Sequence, residues 1–300
     1  MSLPGRPKGE YRSAQREGSP VSGVSSSLDV GVTAVWRLMV LIALACFVVP
    51  ALAQSGFRSN QPSPRLEYWQ QRVIAIDREL SERTNVESTH LLFMGDSITD
   101  FWLLGNSPWR RDVRYGRALW DESFGPGAGP NRAMNLAVSG DRTEHVLHRI
   151  KPRREGGLGQ LDADGLNPEF VVLLVGINNS WMPEEPVVDS IVQGIQAVVT
   201  AVSAKLPKAR IVLQTLLPTA EAERNLGVVE PVNRVIMGLA ADPQYLSRLS
   251  VLDLHAVFVD RSGRQISNYF VDGLHPNEAG YRASRDRLIQ HLQQERSRGH

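Results

Sequence analysis

The sequence predicts an α/β domain in which a parallel sheet of about five strands lies between two layers of helices. Short apolar runs rich in Val, Ile and Leu recur along the chain, and helix-length segments separate them. Strands covered on both faces show such uninterrupted runs, and consecutive parallel strands need a crossover of about a dozen residues or more. The chain has 300 residues, 42% hydrophobic and 22% charged, so it can bury a sizeable core.

Each element has its own signal. The opening helix is predicted within residues 64 to 83, where apolar residues recur at spacings of three and four: Leu66, Trp69, Val73, Ile76 and Leu80. Strands are predicted in the apolar runs at residues 90 to 94, 133 to 138, 170 to 175, 211 to 217 and, in a shorter run, 249 to 254. Further helices are predicted at residues 143 to 150, 186 to 205, 225 to 240 and from 277 onwards.

The first 53 residues differ in composition from the rest. Residues 1 to 30 are rich in Gly, Ser, Pro and Arg and lack apolar periodicity, so they are not expected to pack. Arg37 then precedes an apolar run at residues 38 to 49, and small residues follow as far as Ala53. This is the order of a secretory signal peptide. We expect cleavage after Ala53 to leave residues 54 to 300 as one domain, in the periplasm or secreted.

Two alternatives concern this leader. A membrane anchor is disfavoured because the apolar run is shorter than the ~20 residues that cross a bilayer, so no stable membrane span is expected after cleavage. A lipid anchor at Cys46 is an alternative to cleavage after Ala53. The long stretch before Arg37 also suggests that translation starts further along the chain.

Composition excludes several classes of function. Cys46 is the only cysteine, so the cleaved chain has no disulfide, no thiol nucleophile and no Cys-ligated zinc. The chain has 33 basic and 32 acidic residues, of which residues 1 to 53 hold five and three, leaving 28 and 29. A net charge near zero provides no electrostatic footprint for nucleic acid.

Polar residues stand where the predicted strands end. Gly95, Asp96 and Ser97 follow the first strand, and ligands of open α/β sheets bind at the carboxyl ends of the strands. A serine hydroxyl is a poor nucleophile unless a base takes its proton and a third group orients that base. Asp272 and His275 meet this need, since they lie three residues apart just before the last predicted helix.

Other histidines compete less well for the role of base. Asp253 and His255 also follow an apolar run, but nothing around them forms a recognisable site. His145 and His148 lie on a predicted helix, where a surface or packing role is expected.

Acyl transfer also needs donors aimed at the oxyanion that develops in the transition state. Gly140 ends the second strand and lets a main-chain N–H approach a substrate closely. Gly176 and Asn178 follow the third strand, and Asn178 adds a side-chain amide at the same rim. Taken singly, each glycine could simply permit a tight turn, and Ser97 or Asp272 could cap a helix. The prediction depends on their joint occurrence, in order, along one sheet.

Four segments together resemble a known family. Gly95-Asp96-Ser97, Gly140, Gly176-Ile177-Asn178 and Asp272-Gly273-Leu274-His275 are similar to the four blocks of the SGNH (GDSL) hydrolases. The stretch SGDRTEHVLHRI at residues 139 to 150 resembles in particular the catalytic-subunit branch of platelet-activating factor acetylhydrolase and its bacterial relatives.

The resemblance implies a three-layer α/β/α flavodoxin-like fold and a set of roles. It implies that Ser97 is the nucleophile, His275 the general base and Asp272 the residue that orients the imidazole. It also implies an oxyanion hole formed by the main-chain N–H groups of Ser97 and Gly140 and the side chain of Asn178. No metal and no organic cofactor is expected, because the nucleophile and base suffice.

The chain departs from the family pattern at two positions. Ile177 stands where relatives often have Thr, which removes a hydroxyl beside Asn178. His148 stands where many relatives have an aromatic residue, which we interpret as a packing difference. Four residues near the strand ends are expected to help shape the pocket: Asp100, Ile177, Trp181 and Leu217.

We therefore expect a serine esterase that hydrolyses small acyl esters, acetyl esters above all, through a Ser-His-Asp triad and an acyl-enzyme. The partner would be a small-molecule ester such as an acetylated carbohydrate; the oligomeric state stays open. A lipase or lysophospholipase for longer acyl chains and a catalytically silent binding module are the alternatives. A nucleotide-binding protein is disfavoured, because the Gly-rich segment at residues 125 to 129 lacks the Lys and Ser/Thr of a phosphate loop.

Overall fold

The computed structural model describes residues 56–65, 69–108, 110, 112–245 and 248–298. The expected signal peptide, its cleavage site after Ala53, Cys46 and Leu66 lie outside the described residues. The described residues belong to one unit, Gly56–His300.

Five parallel strands form one sheet within this part of the chain. Their order across the sheet is β2-β1-β3-β4-β5, so the chain changes direction of winding after β1 and β2. The predicted fold class is confirmed, and each predicted apolar run overlaps one strand, which extends beyond the run by one residue at most. The strands are β1 Leu91–Gly95, β2 Ala133–Asn135, β3 Phe170–Leu174, β4 Arg210–Gln214 and β5 Leu249–Leu252.

Alternating side chains along the strands enter two separate cores, which makes the molecule three-layered. Leu92 and Met94 of β1 belong to one core, whereas Leu91 and Phe93 belong to the other. This alternation follows from the strand geometry, in which successive side chains point to opposite faces. The α-helices of the described residues are α1 Gln70–Ser81, α2 Arg83–Glu87, α3 Ser97–Asp100, α4 Arg117–Ser123, α5 Thr143–Ile150, α6 Val187–Lys205, α7 Ala222–Arg224, α8 Glu230–Gly238 and α9 Glu278–Arg298.

The two cores differ in chemistry. The core that contacts α1, α5, α6 and α8 is mainly aliphatic, whereas the one beneath α4 and α9 is aromatic. Phe93 at its centre lies 5.0 Å from Trp120 and 5.1 Å from Phe124 between ring centroids. Of the described helices, only α6 is long and apolar enough to cross a membrane. Its residues Ile191 and Ile195 are fully buried in the aliphatic core, as expected of a core helix.

Helix boundaries differ from the predictions at two places. The opening helix begins at Gln70 rather than near residue 64, and a 3-10 turn at Arg58–Asn60 contacts α5 and α6. The helix predicted at residues 225 to 240 contains a π-helical turn at Asn225–Val229 before α8 begins at Glu230. Pro231 explains the interruption, because it has no N–H to continue the helical hydrogen bonds.

We call residues 56–65 the strap. Its residue Ser59 is fully buried and donates its hydroxyl to the carbonyl of Ser190 on α6 at 2.7 Å. The carbonyl of Ser59 accepts from Thr143 Oγ1 on α5, also at 2.7 Å. The strap therefore joins two helices that lie over the same face of the sheet, and it ends beside the carboxyl edge of the strands.

Candidate active site

Ser97 lies where β1 passes into α3, as the sequence predicts. The turn requires glycine at position 95, because a Cβ there would lie 2.1 Å from the main-chain oxygen of Leu174. Asp96 caps the helix by accepting a hydrogen bond from the N–H of Ile98 at 3.0 Å. Ser97 is then the first helical residue and is 7% exposed.

The structure brings His275 and Asp272 to this serine. Nδ1 of His275 lies 2.8 Å from Oδ2 of Asp272, and its Nε2 lies 2.9 Å from Oγ of Ser97. A carboxylate only accepts hydrogen bonds, so the proton of the neutral imidazole belongs on Nδ1 and Nε2 is free to accept from the serine hydroxyl. The three side chains thus form one continuous hydrogen-bonded series in the order that nucleophilic catalysis needs.

A tight turn holds Asp272 and His275 in this arrangement. The other oxygen of Asp272, Oδ1, accepts from the main-chain N–H groups of Leu274 at 3.0 Å and His275 at 2.8 Å. Gly273 between them has φ +82°, a conformation that favours glycine. The ring of Phe101 lies 4.8 Å from the imidazole between centroids and supports it from the side.

The pKa values of two aspartates near Ser97 are shifted in opposite directions. Burial alone would raise the pKa of Asp272, but the hydrogen bonds from the side chain and N–H of His275 lower it to about 2. Asp272 is therefore ionised at neutral pH and suited to stabilise an imidazolium. Complete burial raises the pKa of Asp96 to about 7 despite the hydrogen bond from Ile98, and its Oδ2 has no partner among the described residues.

Gly140 and Asn178 lie together on one cavity of about 340 Å³. Gly140 has φ +77°, and Val138 just before it donates its N–H to the carbonyl of Gly95 at 3.1 Å. This bond brings the Gly140 loop beside the turn that carries Ser97. Nδ2 of Asn178 donates to the carbonyl of Asp141 at 2.9 Å, which ties the third predicted loop to the second.

Two main-chain N–H groups at this edge of the sheet are available to donate hydrogen bonds to an oxyanion. Within the described residues, no protein acceptor is paired with the main-chain N–H of Ser97 or of Gly140. The remaining N–H of the Asn178 amide is a third candidate donor, since Nδ2 makes one hydrogen bond within the described part of the chain. The residues that line the cavity are Pro64, Arg65, Gly140, Arg142, His145, Asn178 and Met182.

The four residues expected to shape the pocket take different positions. Ile177 and Leu217 are buried in the aliphatic core, so they support the site from beneath. Trp181 is 40% exposed, and the guanidinium of Arg224 lies 4.3 Å from its ring centroid. None of these side chains lines the 340 Å³ cavity.

Asp100 has a bracing role that the sequence does not reveal. Its Oδ2 accepts hydrogen bonds from the N–H of Ser139 at 3.1 Å and from the hydroxyl of Ser139 at 2.5 Å. Its Oδ1 accepts from Arg72 on α1 at 2.9 Å. Asp100 therefore holds the loop that precedes Gly140 against α1.

The competing histidines do not assemble a comparable site. Oδ1 of Asp253 accepts from Thr215 Oγ1 and from the N–H of Ala256, whereas Nε2 of His255 is buried without a hydrogen bond among the described residues. His145 is buried at the start of α5, where its Nδ1 accepts from the N–H of Arg142 at 3.0 Å. His145 is thus packed at the start of α5, as expected of a helix histidine, and it also lines the cavity.

A buried ion cluster beneath the Gly140 loop has no obvious sequence signal. Asp141 is fully buried and contacts two guanidinium groups, Arg149 Nε at 2.8 Å and Arg65 Nη1 at 3.0 Å. Nη1 of Arg65 also donates to the carbonyl of Ser139 at 2.6 Å, and Nη1 of Arg149 donates to the carbonyl of Leu136 at 2.5 Å. Charged side chains thus hold the main chain on both sides of Gly140. In the sequence, only the spacing of Asp141 just before α5 and Arg149 within it indicates that these two side chains could pair. No sequence pattern indicates that Arg65 joins them.

The described residues contain no group of three or more His, Cys, Asp or Glu side chains that could hold a metal ion.

Comparison with known proteins identifies the family. Residues 93–283 match the model of the GDSL-like Lipase/Acylhydrolase family. The chain is 32% identical over 218 residues to platelet-activating factor acetylhydrolase IB subunit alpha1 of Homo sapiens. This alignment covers 70% of this chain and 79% of that protein. It is 29% identical over 191 residues to subunit alpha2 of Rattus norvegicus, covering 64% and 70%.

Solved structures share the fold. A Bacteroides fragilis protein described as an acylhydrolase has a TM-score of 0.52 and 20% identity, and the match covers 76% of this chain and 95% of that one. A GDSL-like lipase from Bacteroides thetaiotaomicron has a TM-score of 0.50 and 18% identity, covering 73% and 97%. At these identities the likeness speaks for the fold alone. The family match over most of the described sheet, together with the relatives' sequence identity, shows that this chain belongs to the GDSL-like lipase/acylhydrolase family and is a carboxylic ester hydrolase.

Proposed function

We propose that the enzyme hydrolyses small acyl esters, acetyl esters above all, through Ser97, His275 and Asp272. The observation that carries this proposal is the hydrogen-bonded series from Ser97 Oγ through the imidazole to Asp272. It supplies a nucleophile, a base within reach of its proton and a carboxylate that fixes the base.

The first half of the reaction forms an acyl-enzyme. Oγ of Ser97 attacks the ester carbonyl carbon while Nε2 of His275 takes the hydroxyl proton, and the carbonyl oxygen becomes an oxyanion. The N–H groups of Ser97 and Gly140 and the amide of Asn178 are proposed to donate to that oxyanion. Collapse of the tetrahedral intermediate breaks the bond to the alcohol, which leaves with the proton from the imidazolium.

The second half of the reaction hydrolyses the acyl-enzyme, with water as the nucleophile and Ser97 as the leaving group. Nε2 of His275 takes a proton from a water molecule that attacks the acyl carbon, and the new intermediate expels Ser97 Oγ with that proton. The products are the free acid and the regenerated serine. No step requires a group other than these side chains and water.

The proposed acyl group is short. The curated relatives are named acetylhydrolases, which favours acetyl as the acyl group here as well. A series of 4-nitrophenyl esters from acetate to decanoate separates this proposal from a lipase: kcat/KM should be highest for acetate and fall with chain length. A maximum at eight or more carbons would reject the acetyl preference and favour the lipase. Acetylated sugars are a further proposed class of substrate, and release of acetate from them is the direct assay.

The role of Ser97 is tested by Ser97→Ala, with Ser297→Ala as the matched control. Ser297 is an exposed serine near the end of α9 whose hydroxyl donates to the carbonyl of Gln293 and has no other hydrogen bond among the described residues. We expect Ser97→Ala to lose 4-nitrophenyl acetate hydrolysis and labelling by a fluorophosphonate probe, with the melting temperature retained. Ser297→Ala should match the wild type in both assays. Normal turnover by Ser97→Ala would reject the assigned nucleophile.

We also propose that the enzyme is exported, with cleavage after Ala53 and residues 54 to 300 as the mature domain. Expression of the full chain in a Gram-negative host, followed by fractionation and sequencing of the mature N-terminus, tests this. A protein retained in the cytoplasm with residues 1 to 53 intact would contradict export.

A further inference from the structure

The cavity beside Gly140 and Asn178 has a lining rich in hydrogen-bond donors. Arg65, Arg142 and His145 contribute its charged and titratable side chains, and no Asp or Glu among the described residues lines it. Arginine can only donate hydrogen bonds. The lining therefore favours a ligand group that accepts them.

His145 presents an N–H to this cavity. Burial, followed by the positive charge of Arg142, lowers the pKa of His145 to about 3, so the ring is neutral at ordinary pH. The N–H of Arg142 donates to Nδ1 at 3.0 Å, which requires a lone pair on that nitrogen. The single proton of the neutral ring must then lie on Nε2.

This tautomer leaves two donors facing each other. Nη2 of Arg142 lies 3.4 Å from Nε2 of His145, but both atoms carry hydrogen and neither can accept from the other. No acceptor among the described residues is paired with either atom. His145 is only 8% exposed, so little water reaches Nε2, and a ligand oxygen that accepts from both groups would satisfy the two donors at once.

The charges around the cavity point to an anion. Asp141 lies between Arg65 and Arg149, and Arg142 pairs with Glu144 at 2.5 Å. Three guanidinium groups thus face two carboxylates, and the neutral His145 adds no charge, which leaves one positive charge in excess. Because these side chains are largely shielded from water, that charge acts more strongly than it would on the surface.

We infer that this cavity is a subsite for a carboxylate or phosphate group carried by the ester, one oxygen of which accepts from both Arg142 Nη2 and His145 Nε2. Because the same cavity reaches Gly140 and Asn178, the anionic group would lie within a few bonds of the reacting carbonyl. The inference rests on the proposed function, to which it adds a substrate class: small esters with an anionic group near the ester bond.

The test compares paired esters that differ only in charge. One pair, 3-acetoxybenzoate and 3-acetoxybenzamide, varies the alcohol; the other, the 4-nitrophenyl esters of succinate and succinamate, varies the acyl group. The wild type should prefer the anionic member of at least one pair by about tenfold in kcat/KM, as expected for hydrogen bonds to a charged group. Arg142→Gln should bring that ratio close to one.

Arg154→Gln is the matched control. Arg154 is an exposed arginine that pairs only with Glu155 among the described residues and does not line this cavity. It should keep the wild-type ratio, which separates the local effect of Arg142 from a general change in charge. If Arg142 only braces the start of α5, Arg142→Gln would slow both members of each pair equally, and the inference would be wrong.

Binding of inorganic phosphate provides a readout that does not depend on turnover. Calorimetric titration of phosphate into Ser97→Ala should show binding that is at least tenfold weaker in Ser97→Ala/Arg142→Gln. Hydrolysis of neutral esters without any anion preference, together with no phosphate binding, would overturn the subsite and leave the proposed function intact. Absence of all ester hydrolysis by the wild type would instead reject the proposed function, and phosphate binding would still decide the subsite.

Discussion

At the scale of single residues, the most unusual carboxyl group is that of Asp96. Burial raises its pKa to about 7, whereas an unfolded aspartate titrates near 4. Between these pH values the folded state binds more protons than the unfolded state, so the free energy of unfolding falls as pH rises from about 4 to about 7. Above that range the penalty for ionisation is fully present.

Replacing Asp96 with Asn tests this penalty. Asn keeps an oxygen that can accept from the N–H of Ile98 but cannot ionise. The free energy of unfolding of the variant minus that of the wild type should be larger at pH 8 than at pH 4. The difference between the two pH values should reach up to about 4 kcal/mol, because each pKa unit corresponds to about 1.4 kcal/mol. Urea unfolding at several pH values measures the change. Parallel pH profiles for the two proteins would show that Asp96 does not titrate in this range.

Asp272 gives the opposite case, because its pKa is lowered to about 2. Its ionised form stabilises the fold above pH 4, and that contribution is lost as pH falls from about 4 to about 2. Half of the side chain is exposed, so screening limits the contribution to about 1 kcal/mol or less. The proposed catalytic effect is much larger than this effect on stability.

Asp272→Asn should therefore separate activity from stability. An amide that donates to Nδ1 of His275 would favour the tautomer with its proton on Nε2, which cannot accept from Ser97. By comparison with the Asp to Asn change in the serine protease triad, we expect a loss of about 10³ to 10⁴ in kcat. The melting temperature should change little. Activity within tenfold of the wild type would argue against the proposed orienting role.

Single residues also show what sequence can and cannot predict. Ser97, Asp272 and His275 could be paired because each follows or precedes a clear element and nucleophilic chemistry demands that combination. The contacts of Arg65 and Asp100 could not, because pairs that lie 76 or 39 residues apart carry no periodic signal. The catalytic roles themselves stay predictions until the variants are measured.

At the scale of elements, the turn from β1 to α3 depends on Gly95. A Cβ at this position would lie 2.1 Å from the Leu174 oxygen on the neighbouring strand, so Gly95→Ala must push two central strands apart. We expect a loss of about 3 kcal/mol or more in the free energy of unfolding, at the upper end of overpacking. Gly127→Ala is the control, because a Cβ there meets nothing within 4 Å. Equal stability of the two variants would contradict this account of the turn.

A buried ion pair joins α5 to the Gly140 loop. Arg149 and Asp141 are each about 1% exposed, so Arg149→Met removes one of the two charges that face Asp141. Breaking such a pair typically costs about 3 to 5 kcal/mol. In the Arg149→Met background, Asp141→Asn should cost much less than it does in the wild type.

A surface pair provides the comparison for this double-mutant cycle. Arg117 and Asp121 on α4 are both 53% exposed, so Arg117→Met should change stability by no more than about 0.5 kcal/mol. Urea unfolding of the variants measures both effects. Strictly additive losses at Arg149 and Asp141 would show that the two side chains do not act together.

Elements were predictable where their signal is local. Helix α5 was predicted at its observed bounds, because its apolar spacing and its flanking residues agree. The opening helix was predicted too long, because Pro64 and Arg65 belong to the strap, whose partners lie on α5 and α6. Helical periodicity cannot reveal such a tertiary contact.

At the scale of the whole molecule, parallel topology determines where the site lies. All five strands of the described sheet run the same way, so the loops after β1, β2 and β3 meet at one edge. The last turn before α9 reaches the same edge and adds His275. Sequence could predict this convergence because order along the chain and parallel pairing suffice for it. It could not predict the strap, which approaches the same edge without being part of the sheet.

The strap links the loop that carries Glu184 to the cavity. Glu184 accepts hydrogen bonds from the N–H groups of Arg58 and Ser59 at 2.9 and 3.0 Å, and Arg65 at the other end of the strap lines the cavity. Cleavage after Ala53 would leave the whole strap on the mature enzyme. Removing Glu184 should therefore loosen the strap and disturb the position of Arg65 without touching the proposed triad.

Glu184→Ala tests this link, with Glu155→Ala as the control because Glu155 pairs only with exposed Arg154 among the described residues. Hydrogen exchange of residues 56 to 65 should speed up in Glu184→Ala, since the N–H groups of Arg58 and Ser59 lose their acceptor. We expect kcat/KM for 4-nitrophenyl acetate to fall by about threefold, the effect of about 0.7 kcal/mol in transition-state stabilisation. Faster exchange with unchanged kinetics would mean that the strap stabilises the fold but does not position Arg65 for the reaction.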